Sequence, residues 1–150
     1  MKKIFSVLLV LLLAMLAFGM VSCGEEEEEE EEEVSVFETV VENVEELVNE
    51  DVEYMKEAGD ESGQSLFRDC FYSSADLFDG EILNSLYCEN EGEGEWWCII
   101  AFECASEEDA EAMKEAALAY PDDDIPCLRV EGNVFIASNS EDYVKIALGE

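Results

Sequence analysis

Glu95-Trp96-Trp97-Cys98-Ile99-Ile100-Ala101-Phe102-Glu103-Cys104 is the stretch on which the fold turns. By simple alternation Trp96, Cys98, Ile100, Phe102 and Cys104 fall on one face of a strand, and Trp97, Ile99 and Ala101 on the other. Apolar residues on both faces predict a strand covered on both sides, hence a central one. Before it, residues 82–89 read as a second strand, and Asn90-Glu91-Gly92-Glu93-Gly94 supplies the turn chemistry of a hairpin. After it, Ser106 with Asp109 opens a helix that runs through Met113, Ala116 and Ala117 to Tyr120 and stops at Pro121.

Asp122-Asp123-Asp124 then leads into a second hairpin, 127–130 with 134–137, across Glu131-Gly132-Asn133. Ser140 begins a short last helix with Tyr143, Val144, Ala147 and Leu148 inward. If strands 95–104 and 127–130 lie parallel, the helix between them makes a right-handed crossover. Towards the N-terminus, Phe37, Val40, Val41, Val44, Leu47, Val48, Val52 and Met55 recur at the spacing of one helical face. Ser35 and Glu38 form a capping box and Gly59 a stop, which predicts one long amphipathic helix. Residues 60–64 read as a polar loop, and Leu66 to Phe78 as a broken helix or a short strand at 67–72. The whole predicts an α+β domain with a long N-terminal helix. Its two β-hairpins form one small antiparallel or mixed sheet, with helices packed mainly on one face.

This domain is expected to occupy residues 34–150, enough for a core of its own. What precedes it is an address. Lys2-Lys3 are followed by an apolar run, 4–18, broken only by Ser6, and then by Gly19-Met20-Val21-Ser22-Cys23. That order is the one found in a secretory signal. Ser22-Cys23 resembles the lipobox of bacterial lipoproteins, in which the cysteine receives diacylglyceryl before cleavage. Met20 stands where leucine is usual. The resemblance implies a signal peptide over 1–22, lipid on Cys23 and a chain held on the extracytoplasmic face of the cell membrane. The competing reading is an uncleaved membrane helix over 4–22, close to the span a bilayer needs. Both leave the lysines in the cytoplasm. Residues 23–33 carry Cys23, Gly24 and nine consecutive glutamates, a self-repelling run read as a spacer and, less simply, as a cation-binding tail.

The chain holds 40 acidic and 7 basic residues, a formal charge of −33. Without Lys2, Lys3 and the glutamate run, 31 acidic and 5 basic residues remain, so the domain stands at −26. Such a field repels nucleic acid and anionic polymers and attracts cations and basic proteins. It also favours a soluble monomer.

The segments 95–102, Ser106-Glu107-Glu108-Asp109-Ala110 and Val130-Glu131-Gly132-Asn133-Val134 resemble a group of small Gram-positive lipoproteins. These combine a lipobox, a short linker and a strand, acidic helix and glycine-turn hairpin in a domain of unknown function. The likeness implies location and fold, and no activity.

The chain has no histidine, which removes Ser-His-Asp and Cys-His catalysis and His-containing zinc sites. No P-loop or dinucleotide glycine pattern is present. Cys70, Cys88, Cys98, Cys104 and Cys127 have structural disulfides, buried thiols and redox or metal work as alternatives. Cys98 and Cys104 sit about 20 Å apart on one continuous strand, too far for a bridge. Cys88 and Cys98 are the candidates for a disulfide across the hairpin. No Cys-x-x-Cys occurs, and the cysteine spacings make no zinc knuckle.

Asp122-Asp123-Asp124 and Asp76, Asp79 and Glu81 offer oxygen ligands for Ca²⁺, though neither set has EF-hand spacing. Trp96 and Trp97 read either as packing on both sheet faces or as a ligand platform. The expectation is a non-enzymatic, membrane-tethered binding or accessory module of the cell envelope, with no cofactor, no metal site and no nucleic-acid partner. A divalent-cation-binding protein is the alternative.

Overall fold

Five strands and four α-helices are present among the described residues, which are 34–150 apart from Glu91, Glu93 and Gly94, in a computed structural model. The strands are β1 (Val52–Ala58), β2 (Ile82–Asn90), β3 (Trp97–Cys104), β4 (Cys127–Glu131) and β5 (Val134–Ser138). They form one antiparallel sheet of order β1-β2-β3-β5-β4. β3 lies in the middle, and every residue of it but Glu103 is buried. β3 and β4 both run antiparallel to β5, so they point the same way with β5 between them. Gly132 turns the β4–β5 hairpin with φ 57°, a left-handed conformation that glycine adopts without a Cβ clash.

The expected long N-terminal helix is not what forms. Helix α1 (Val36–Glu45) is ten residues long, and the rest of the segment turns and becomes β1. Its start follows the capping box: Glu38 N–H donates to Ser35 Oγ at 3.1 Å, and Ser35 N–H donates to the Glu38 carboxylate at 3.2 Å. Its end has a cause in charge. The last turn holds Glu45 and no base, and Glu46 caps it, so negative charge sits at the negative pole of the helix. Asn49 then folds the chain locally: its Oδ1 accepts from Asp51 N–H at 2.9 Å and its amide donates to the Leu47 carbonyl at 3.2 Å. Val52 and Met55 satisfy helical spacing by coincidence. In β1 they face opposite layers, Val52 with Tyr54 on one side and Met55 on the other.

The polar residues 60–64 are likewise not a loop. They open helix α2 (Asp60–Cys70), which leads through a 3₁₀ turn at Ala75–Leu77 into β2. Helices α3 (Glu107–Ala119) and α4 (Glu141–Leu148) begin at Ser106 and Ser140, whose hydroxyls accept from Asp109 N–H and Asp142 N–H.

Contrary to the expectation, the helices do not gather mainly on one face. They form a pair on each. Phe37, Val40, Val41 and Val44 of α1, with Val144 and Ala147 of α4, cover Leu86, Ile99 and Ile136. On the opposite face Leu66 and Phe67 of α2, with Met113 and Ala117 of α3, cover Ile100, Phe102 and Phe135. The two apolar faces of β3 require this, because each must be removed from water. Phe67 meets Phe102 edge to face at 5.6 Å.

Candidate functional site

The α2–α3 layer does not close over the whole sheet. Past Cys70, where α2 ends, and past Ala119, where α3 ends, a cleft of about 440 Å³ opens over β1, β2 and β3. Its apolar floor includes Met55, Leu66, Ile100 and Ile125. Tyr87 and Trp96 stand along it, and Glu53, Asp69, Asp122 and Asp124 bring carboxylates to it. A second cleft of about 730 Å³ adjoins it, lined in part by Tyr72 and Tyr120. The two share Asp69, Cys70, Asp122 and Asp124. Both are open troughs rather than enclosed cavities.

The aromatic wall is held from behind and from beside. Tyr87 and Glu89 alternate on one face of β2. The Glu89 carboxylate accepts from the Tyr87 hydroxyl and, at 2.6 Å, from Trp96 Nε1–H. Beyond the last paired residue of β5, Asn139 substitutes for a strand. Its Oδ1 accepts from Cys98 N–H at 3.1 Å, and its amide donates to the Trp96 carbonyl at 2.8 Å. The backbone that carries Trp96 and Cys98 is thereby fixed. Across the cleft, Asp124 N–H donates to Asp122 Oδ1 at 2.8 Å, which shapes the acidic loop.

Among the described residues no lysine or arginine lines either cleft. Two of the domain's bases are engaged elsewhere, Arg129 with Glu150 at 2.6 Å and Lys114 with Glu111 at 3.5 Å. The thiols register the acidic surroundings. Cys70 is pushed up to about 12, first by burial and then by Cys98, Asp69 and Glu89. Cys98 is pushed up to about 11, again by burial first, with Glu89 and Asp122 adding to it and a backbone hydrogen bond from Asn139 opposing. Both stay protonated at neutral pH, which makes them poor nucleophiles. The site offers apolar contact, aromatic faces and negative charge.

The residues singled out in the sequence are dispersed. Cys23, the segment 1–22 and the glutamate run lie outside the described residues. The proposed Cys88–Cys98 bridge is excluded by register. Cys88 lies opposite Ile99 and Cys98 opposite Glu89, so the two side chains point to opposite faces of the sheet. Cys70, Cys88, Cys98, Cys104 and Cys127 are all free thiols. Among the described residues no group of three or more Cys, Asp or Glu converges to hold a metal ion, and this includes Asp122 to Asp124 and the Asp76, Asp79 and Glu81 set. Trp97 is buried and stacks on Tyr143 at 4.9 Å, whereas Trp96 is 41% exposed and lines the cleft.

Tyr87, Glu89 and Asn139 escaped the sequence reading. The i, i+2 placement of Tyr87 and Glu89 on a strand was the available signal, but it gains meaning only once Trp96 is beside them.

No helix among the described residues is long and apolar enough to cross a membrane. Comparison with family models, curated proteins and solved structures gives no match.

Proposed function

We propose that this chain is a non-enzymatic binding module, held on the extracytoplasmic face of the cell membrane by lipid on Cys23, and that the cleft beside Trp96 is its binding site. The observation that carries the binding reading is an open, apolar-floored cleft with an ordered aromatic wall and a set of carboxylates. A cleft of this size and lining is where ligands bind. The tether reading rests on Lys2-Lys3, the apolar run and Ser22-Cys23. Two or more acyl chains, as a mature lipoprotein carries, make such an anchor stable where one alone does not.

The tether is tested by metabolic labelling with a radioactive fatty acid and by fractionation of the full chain and its Cys23→Ser variant. Label in the wild type, its loss in Cys23→Ser and an uncleaved N-terminus in that variant are the expected results. An unlabelled wild-type chain that stays in the membrane fraction would replace the lipid with a membrane helix.

A further inference from the structure

Resting on the binding-module reading, we propose that the two adjoining clefts take a single extended, basic segment of a partner protein. Its lysine or arginine side chains meet Asp69, Asp122 and Asp124, and an apolar or aromatic side chain lies against Tyr87 and Trp96.

Three observations converge on this occupant. Charge comes first. Asp69, Asp122 and Asp124 face the clefts with no lysine or arginine among the lining residues, inside a domain of 31 acidic and 5 basic residues. Such a site favours a cation and repels nucleic acid, anionic lipid and a second copy of this chain. Shape is the second. The clefts adjoin along Asp69, Cys70, Asp122 and Asp124, with Tyr72 and Tyr120 lining one and Tyr87 and Trp96 the other, so a row of carboxylates lies between two aromatic sets. A small ligand is ordinarily surrounded over most of its surface, which an open trough does not do. A chain laid across both clefts can reach both aromatic sets.

Order is the third. Glu89 and Asn139 hold Trp96 by its indole N–H and its backbone carbonyl while leaving the side chain 41% exposed. A fixed, half-exposed tryptophan beside carboxylates suits an arginine or lysine stem, which gains from the ring face and from the charge together. Little side-chain freedom is then lost on binding.

The full chain in nanodiscs of zwitterionic lipid, with empty discs as the blank, tests this by fluorescence anisotropy. The probe is a labelled nonapeptide of alternating lysine and tyrosine. Its glutamate counterpart is the negative control, and spermine and phenethylamine are the competing small cations. Saturable binding of the lysine peptide is expected, weakened about tenfold or more by Asp69→Asn with Asp124→Asn and again by Trp96→Ala. The pair Glu42→Gln with Glu46→Gln removes equal charge from the exposed side and the C-cap of α1, in the opposite layer, and should leave binding unchanged. Circular dichroism confirms that each variant is folded. Equal weakening by both pairs would reduce the effect to a general field and overturn the proposal. If only spermine or phenethylamine bound in a way that Trp96→Ala and the aspartate pair weaken, the peptide would be wrong and the binding module would stand. If no probe depended on these residues, both readings would fall.

Discussion

Adjacent residues of one type take opposite jobs. Trp96 and Trp97 differ by one position, and the alternation of a strand sends one to the cleft and the other under α4. Trp97→Ala removes a buried ring stacked on Tyr143 and should cost about 3–5 kcal/mol. Trp96→Ala, made at a half-exposed site, should cost about 1 kcal/mol or less. Urea midpoints of the two variants, read with the m-value to check for a change in the unfolded ensemble, decide it. Equal losses would mean that the faces of β3 are misassigned. The same parity defeats the disulfide read across the hairpin, since a one-residue difference in register moves a side chain through the sheet. Composition announced the cysteines, but the loop between β2 and β3 set which face each one occupies. That information is geometric and cannot be read from spacing alone.

At the scale of elements, the alternating run of β3, both hairpins, and the serine starts of α3 and α4 are legible because each is specified locally. Segment 36–58 is not. Its apolar spacing suits a helix, while its strand half is decided by seven backbone pairings with β2, contacts that lie more than twenty residues away. Residues 60–64 misled for a similar reason: polar composition describes the start of α2, where Asp60 accepts from Ile82 N–H and Gln64 donates to the Gly80 carbonyl, as well as it describes a loop. Gly63 in this stretch has a tertiary role. A Cβ there would lie 2.8 Å from Ile82 Cβ and collide with the rest of the Ile82 side chain, so α2 rests directly on β2. Gly63→Ala should therefore destabilise by about 1–3 kcal/mol despite its better helix propensity. Thermal and urea unfolding measure this. A gain in stability would show that α2 shifts freely over the sheet, and with it the position of Asp69 and Cys70 at the cleft.

For the molecule as a whole, the free thiols distribute one titration over both cores. Burial raises Cys70 and Cys104 to about 12, and Cys88 and Cys98 to about 11, from an ordinary value of 9.0. A raised folded-state pKa means that the folded chain holds its proton more tightly than the unfolded chain. The stability this contributes is complete below about pH 9 and is lost as pH rises towards the folded values. Tyr54, raised to about 12 by burial and by its hydrogen bond to Glu45, adds the same sign above about pH 10. The urea midpoint should thus fall steadily between about pH 9 and about pH 11 and flatten in variants with fewer buried thiols. A constant midpoint over that interval would mean that the thiols are not held away from water.

The cleft and the start of the domain lie on opposite layers of the sheet. Val34 leads into α1, packed beneath one face, while Trp96 and Asp69 open on the other. Force applied between the N-terminal end of the domain and an occupant of the cleft must therefore cross the central sheet. A seam on that path is the contact of Phe37, Val40, Val41 and Val44 with α4 and the sheet, an apolar side-chain interface to which Asn43 adds a hydrogen bond to the Ala147 carbonyl at 3.1 Å. Peeling α1 would relieve that load while the hydrogen-bonded strands beneath the cleft stay intact, so the grip on the occupant would outlast a failure at that seam.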